Sequence, residues 1–337
     1  MEFKLHHDFS EIDAADWNQL ASVSISDTPF ARHEYLSQWW STLGGGEWPE
    51  ADLILVSGWD SGKLIGLAPL FRARHGGRDA ILLVGSIEVS DYLDLIVREA
   101  DLPAFVPGLL TFLRNSPDWH TLPLDWYNIL ESSPTPALLQ SEAETRGWDF
   151  RTEVYLPAPH VPLQGDFDSY LAALDKKQRH EIRRKLRRAS EGSLPARTRL
   201  VETQAELESA IQAFLELMGH DPDKARFLKP EMREHMREVV RRAFENGYLH
   251  LTFLTVGEAN AAASLDFDYR NKLWGYNSGV NPEFTEISPG WVLLAHQIQW
   301  ATEHGRSEFD FMRGDEDYKY RFGGVDRHVL RVQLSPS

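Results

Sequence analysis

Two short segments in the last third of the chain concentrate residue types that can do chemistry. In the first, the apolar alternation Phe309-Asp310-Phe311-Met312 runs out into Arg313-Gly314-Asp315-Glu316-Asp317-Tyr318-Lys319-Tyr320-Arg321-Phe322-Gly323-Gly324. Both charge signs, interleaved tyrosines and glycines thus crowd the C-terminal end of an expected strand, the edge at which open α/β sheets hold their ligands. A carboxylate there, Asp315 or Glu316, could take a proton from an amine nucleophile, and Tyr318 could return one to a leaving thiolate. Lys319 or Arg321 could hold phosphate or carboxylate groups. A solvated, salt-bridged loop would carry the same charges but has little need of the aromatic residues.

In the second segment, Asn277-Ser278-Gly279 ends an apolar strand, and Ser288-Pro289-Gly290-Trp291 opens an amphipathic helix. Ser288 suits an N-cap and Pro289 the first helical turn. Gly290 lets a ligand approach the backbone. Unpaired amides and the positive end of the helix dipole make such a terminus an anion site, suited to a pyrophosphate. A well-capped helix with no ligand has the same residues.

Two other patterns stand out. Ser90-Asp91-Tyr92-Leu93-Asp94 places two carboxylates where they could bind a cationic acceptor or simply form a turn before a strand. Between Lys176 and Arg188 there are eight Lys or Arg residues and one acid, Glu181. That run reads as a solvated helix face around an apolar stripe, or as an anion-binding rim.

The elements that position these residues follow from periodicity and punctuation. In the first half we expect a strand at Phe3–His6 and helices over about 12–22 and 31–43, the second stopping at Gly44-Gly45-Gly46. Strands 53–59 and 63–72 flank the hairpin turn Asp60-Ser61-Gly62. Strands 80–86 and 92–97, a helix over 103–114, a strand at 120–126, a helix over 136–146 and a strand at 148–155 complete this half. Three prolines within 157–162 place a boundary there, giving halves 1–156 and 157–337. The second half opens with one helix over 168–189, ending at Gly192. Next come a strand at 198–201, a helix capped by Thr203 and Glu206 that runs to Met218, and a helix over 230–246. Strands 248–256, 261–269 and 272–279 form a meander, followed by the Pro289 helix, strand 307–312, a loop and strand 328–334. The two halves share an order of elements without an obvious sequence repeat.

Composition bounds the rest. The chain has 337 residues, 42% hydrophobic and 26% charged, a globular balance with room for two domains. The absence of cysteine excludes disulfides, zinc thiolates and thiol nucleophiles. Thirteen histidines include no HExxH or HxxxH helix pair, and there is no GxSxG elbow, so neither a metal nor a serine nucleophile is expected. The net charge of −16 disfavours nucleic acid as a general partner. No apolar run reaches the roughly 20 residues of a membrane span, and the N-terminus lacks the pattern of a signal peptide, so a cytoplasmic protein is expected.

Together, SDYLD (90–94), the start Tyr170-Leu171-Ala172-Ala173-Leu174 with its basic helix, Ser288-Pro289-Gly290, and the stretch 309–323 resemble a GNAT acetyltransferase family of bacterial proteins associated with cellulose biosynthesis. The resemblance spans nearly the whole chain and is most specific from Leu249 to Gly324. It implies tandem GNAT-like modules of mixed α/β class, each a mostly antiparallel twisted sheet flanked by helices, with acyl-CoA in the second module. It places Ser278 and Gly279 on the strand that cradles pantetheine, and Ser288, Pro289, Gly290 and Trp291 at the pyrophosphate. The usual phosphate loop, Q/R-x-x-G-x-G/A, is replaced by Glu283–Gly290. The same architecture is shared with Fem-type aminoacyl-tRNA-dependent transferases, whose Lys-x-x-Phe signature is similar to Lys319-Tyr320-Arg321-Phe322.

The resulting expectation is an N-acyltransferase that moves an acetyl or longer acyl group from acyl-CoA to an amine or hydroxyl of a small-molecule or saccharide acceptor. Glu316 or Asp315 is the base, Tyr318 the acid and Lys319 a further member of the catalytic set. Asp91, Tyr92, Asp94 and Arg313 would hold the acceptor. The alternatives are a Fem-like transferase, with tRNA as partner, and a non-catalytic GNAT pair that only binds a ligand.

Overall fold

The computed structural model describes residues 1–191 and 194–336. It contains two compact units: Met1–Pro157 together with the stretch from Arg327 onward, and Ala158–Asp326.

The first unit begins with β1 (Glu2–His6), α1 (Ala14–Ala21), α2 (His33–Ser41) and the short turn α3 (Leu43–Gly46), where Gly44 and Gly45 are left-handed. Asp13 caps α1 by accepting from the amides of Ala15 and Asp16. β2 (Asp52–Asp60) and β3 (Lys63–His75) form the expected hairpin, Ser61 and Gly62 taking the positive φ that its turn requires. Then come β4 (Arg78–Leu83), β5 (Ile96–Val97), α4 (Leu102–Arg114), β6 (Leu124–Leu130), α5 (Thr135–Arg146) and β7 (Asp149–Pro157). The sheet order is β1-β2-β3-β4-β6-β14-β7, with β5 on β3 and with β14 (His328–Ser335) supplied by the end of the chain. Phe105 and Leu109 of α4, with Leu139 of α5, cover one face. Glycines at 58 and 66 admit the Phe105 ring, since a methyl at Gly66 would lie 2.5 Å from it.

The second unit runs β8 (His160–Pro162), α6 (Phe167–Ala173), α7 (Lys176–Ser190), β9 (Ala196–Leu200), α8 (Gln204–Met218), α9 (Pro222–Phe227) and α10 (Pro230–Glu245). β10 (Leu249–Val256), β11 (Ala259–Tyr269), β12 (Lys272–Val280), α11 (Pro289–Glu303), β13 (Glu308–Asp310) and α12 (Asp317–Arg321) follow. Its sheet order is β8-β13-β12-β11-β10-β9. Ala295, Ile298 and Ala301 of α11 pack with Leu273, Phe309 and Ile182 in the core. Both sheets are mostly antiparallel and flanked by helices, so the mixed α/β class read from the sequence holds.

Several local expectations are corrected. The helix over 168–189 is two helices, because Asp175 turns its carboxylate onto the amides of Lys177 and Gln178 and starts α7 afresh. The stop at Gly192 lies outside the described residues. The strand at 92–97 survives only as Ile96–Val97, since Leu93 donates to the Asn128 carbonyl instead of joining a ladder with its neighbours. The strand at 120–126 starts at Leu124, after Pro123, which has no amide to donate. The capping box is as read: Thr203 and Glu206 bond each other's backbone. β8, α9 and α12 had no counterpart in the reading. The last strand was assigned to the second half, but it pairs with β6 and β7 and belongs to the first unit.

Candidate active site

In the second unit, the meander β10-β11-β12 meets β13 in the parallel sense. The pairing covers only Lys272, Leu273 and Trp274 against Glu308, Phe309 and Asp310. Immediately beyond, the β11–β12 register slips: Leu265 opposes Asn277 and Asp266 opposes Gly275, so Tyr276 is an extra residue that bends β12. β12 continues to Val280, whereas the chain after Asp310 turns away, with the Phe311 amide bonded to the Pro159 carbonyl and Met312 at φ 60°. Two parallel strands thus separate into a wedge. Among the described residues no strand pairs with the 275–280 edge of β12 that faces β13. Such an edge can bond an extended, amide-bearing ligand through main-chain groups.

The closed side of the wedge is tightly packed. A methyl at Gly279 would collide with the backbone of α8 at Leu217 and Met218, so glycine is required there by packing. Lys224 Nζ reaches the Asn277 side-chain oxygen (3.0 Å) and the Ser278 carbonyl (2.6 Å). Burial pushes this ammonium below the usual lysine range, opposed by Asp221 and Glu316. The Ser278 carbonyl is therefore engaged by Lys224, which the sequence reading passed over because a lysine on a short helix carries no motif.

At the start of α11, Ser288 does not cap. It is left-handed (φ 53°, ψ 60°) and its side chain makes no cap bond, which corrects the sequence expectation. Pro289 does occupy the first turn. A methyl at Gly290 would lie 3.3 Å from Val280 Cγ2, so this helix end abuts the end of β12. First-turn amides have no intrahelical acceptor, and here they adjoin the wedge. The Trp291 ring is packed under Lys185 Nζ, 3.9 Å from its centroid, and 4.8 Å from the Phe322 ring. What Trp291 can offer a ligand is therefore its backbone.

The Arg313–Arg321 segment is not an open loop. α12 is tied down by Lys319, which is only 2% exposed. Its ammonium donates to the carbonyls of Met312 (3.2 Å), Arg313 (2.6 Å) and Gly314 (3.2 Å), and pairs with Glu316 (2.9 Å). Lys319 is committed to backbone and does not present a charge to a ligand; it positions the loop. Gly314, at φ 113°, admits the Glu316 carboxylate, which would lie 2.5 Å from a methyl there. Arg321 pairs with Asp317. Asp315 is exposed, and Tyr318 shows 41% of its surface. The Tyr318 phenol is nonetheless held well above the usual tyrosine range, by desolvation of the group first and then by the Glu316 and Asp266 carboxylates.

Asp266 belongs to a buried polar chain that the sequence reading missed. Ser264 Oγ donates to Asp266 Oδ1 (3.0 Å), Gln297 Nε2 donates to Asp266 Oδ2 (2.7 Å), and Gln297 Oε1 meets His250 Nε2 (3.0 Å). Asp266 is fully buried, and burial raises its pKa well above the carboxylate range. The signal was available: an acid in the run Ala261–Phe267, which is apolar apart from it and Ser264.

Asp91, Tyr92 and Asp94 are all buried in the first unit. Asp94 accepts from the Leu95 amide (2.7 Å), Thr135 Oγ1 (2.7 Å) and Ser133 Oγ (2.5 Å). Burial raises its pKa to about 6 against those three bonds. The first unit repeats the strand plan of the second: β4 meets β6 in parallel through Ile81 and Leu124. Here the space beyond is taken by the chain itself. Asn128 Nδ2 donates to the carbonyls of Ile87 (2.9 Å) and Ser90 (2.8 Å), while Trp48 and Tyr35 bond the Ser86 and Val89 carbonyls.

Among the described residues no group of three or more acidic or histidine side chains could hold a metal, and no helix is long and apolar enough to cross a membrane. Residues 176–320 match the family model described as an acetyltransferase (GNAT) domain. No curated protein sequence matches the chain. Among solved structures, the chain is similar to FemX, with TM-score 0.67 and 10% identity over 98% of this chain and 97% of that one. It is similar to a conserved protein of unknown function from Bacteroides thetaiotaomicron, with TM-score 0.63 and 12% identity over 99% and 100% of the two chains. It is also similar to a tandem GNAT protein from the clavulanic acid biosynthesis pathway, with TM-score 0.50 and 15% identity over 100% and 99%. The chain therefore has a tandem GNAT-like fold, and its match to the GNAT acetyltransferase domain lies within the second unit.

Proposed function

We propose that the second unit binds an acyl thioester of coenzyme A and transfers its acyl group to an amine or hydroxyl of a small-molecule or saccharide acceptor. The observation that carries this reading is the wedge between β12 and β13, with its unpaired strand edge and the N-terminus of α11 at its end. An extended pantetheine amide suits the edge, and a pyrophosphate suits the helix terminus at Ser288, Pro289 and Gly290. The amine attacks the thioester carbonyl, the C–N bond forms and the C–S bond breaks. The proton lost by the amine goes to Glu316 or Asp315, and Tyr318 protonates the departing thiolate. Held protonated, the phenol can donate a hydrogen bond to the departing sulfur, while the burial that raises its pKa opposes full transfer of the proton. Backbone amides near Gly279 would polarise the carbonyl. The test is calorimetric titration with acetyl-CoA and longer acyl-CoAs. Binding that weakens when Gly290 is replaced by Val supports the reading; no heat from any of them overturns it.

A second reading, a Fem-like transfer from aminoacyl-tRNA, draws on the likeness to FemX and on α7. Several α7 cations already have surface partners: Arg183 with Asp168, Arg184 with Glu181, Arg187 with Glu191. This reading expects salt-sensitive tRNA binding that weakens when Arg183, Arg184 and Arg187 become Glu; unchanged or absent binding removes it. The finer resemblance to the cellulose-biosynthesis group belongs with the first reading.

A further inference from the structure

The first unit holds an open cavity of about 210 Å³, whose lining includes Tyr92 and Asp94, two residues expected from the sequence to hold an acceptor. That volume is below the roughly 300–1,000 Å³ of drug-sized sites and suits a small ligand. Ser26, Thr28, Tyr92, Asp94, Glu99 and Ser133 are on its lining.

Thr28 is 5% exposed, yet its hydroxyl has no hydrogen-bond partner. That oxygen has almost no accessible surface, so it is closed off from the cavity that the residue lines. Asp94, 8% exposed, is oriented by its three donors: two fill Oδ1, and only Ser133 meets Oδ2. A carboxylate has about four acceptor sites, so Oδ2 retains one.

The lining holds two carboxylates, Asp94 and Glu99, and no lysine, arginine or histidine. Arg327 sits over the Tyr92 ring at 5.3 Å, with Nη2 3.4 Å from its hydroxyl. A buried carboxylate with no cation on the cavity wall favours a ligand that brings its own positive charge. The neighbouring Ser26 and Ser133 favour a ligand with hydroxyls as well.

We propose that this cavity binds a small hydroxylated primary amine, an amino sugar or amino alcohol, with its ammonium on Asp94. The site stands apart from the thioester reading, because it needs no donor to be filled.

The test is calorimetric titration of the whole protein with glucosamine and ethanolamine, with glucose as the uncharged control and no acyl-CoA present. Glucosamine should bind more tightly than glucose. Asp94→Asn should weaken it about tenfold or more, the scale of a charge-assisted bond, and Glu99→Gln, at the exposed carboxylate of the lining, by a smaller factor with an unchanged Tm. Should Asp94→Asn fail to fold, Glu99→Gln decides alone. Binding of neither amine, glucose bound as tightly as glucosamine, or unchanged affinity in the folded variants overturns the proposal.

Discussion

The ammonium of Lys319 lies 2.6 Å from the carbonyl oxygen of Arg313 and is enclosed on all sides. The residue next to the proposed acid and base thus bonds the chain on the other side of Gly314, fixing the loop that carries both. Lys319→Met should leave three carbonyls and one carboxylate without their donor and destabilise the protein by about 3 kcal/mol, the scale of losing a buried charged partner. Lys319→Arg should not rescue it, because a planar fork cannot meet carbonyls converging on one point. Urea unfolding of both variants measures this.

Gly279→Ala should be more costly than an ordinary strand substitution. The added methyl would meet backbone atoms of Leu217 and Met218, so α8 must shift, for about 1–3 kcal/mol of overpacking. Gly247→Ala is the control. It has open space around it but φ of +73°, so its cost should be about 1 kcal/mol from backbone strain alone. Thermal unfolding should rank the two in that order.

Two buried histidines make the protein sensitive to mild acid. Burial lowers the pKa of His235 and of His250 from 6.5 to about 4. Between those values the unfolded chain binds protons that the folded chain refuses. Their contribution is fully present above pH 6.5 and is lost as pH falls toward 4, each amounting to about 2 kcal/mol between pH 7 and pH 5. Asp94 works in the opposite direction: its pKa is raised from 3.8 to about 6, so its contribution is fully present below 3.8 and is lost as pH rises through 6. His250→Gln should flatten the acid limb of stability against pH, read from urea midpoints at pH 7 and pH 5, and Asp94→Asn should steepen it.

On the proposed chemistry, Tyr318→Phe should lower kcat about a hundredfold while leaving the KM for the thioester near its original value, because the phenol acts on the leaving group after binding. A change in KM alone would instead make Tyr318 a binding residue.

What could be read from the sequence was set by the range of the interactions involved. The meander β10-β11-β12 and the Thr203–Glu206 cap depend on neighbours within a few residues, and both were found. The positive φ of Ser288, the Lys319 clamp and the Asp266–Gln297–His250 chain depend on residues far apart in sequence. No spacing rule encodes them. Asp175 was a local signal missed, since an acid after an apolar stripe reads equally as helix interior or as a new cap. At the wedge, Ser278 and Gly279 lie on the strand assigned to them, but the bulge at Tyr276 that opens it could be seen only in the strand register.

The position of β14 has a consequence for how the protein is made. Among the described residues, β7 is joined to the first sheet only through β14, which inserts between it and β6. During synthesis every residue of the second unit leaves the ribosome before the strand that completes the first. Domains commonly fold in order of emergence; here the N-terminal sheet must wait, with β6 and β7 each presenting an open edge, until His328–Ser335 arrives. A nascent chain arrested just short of β14 is therefore the form most exposed to strand-mediated aggregation, and the first unit is finished only after the whole of the second has been made.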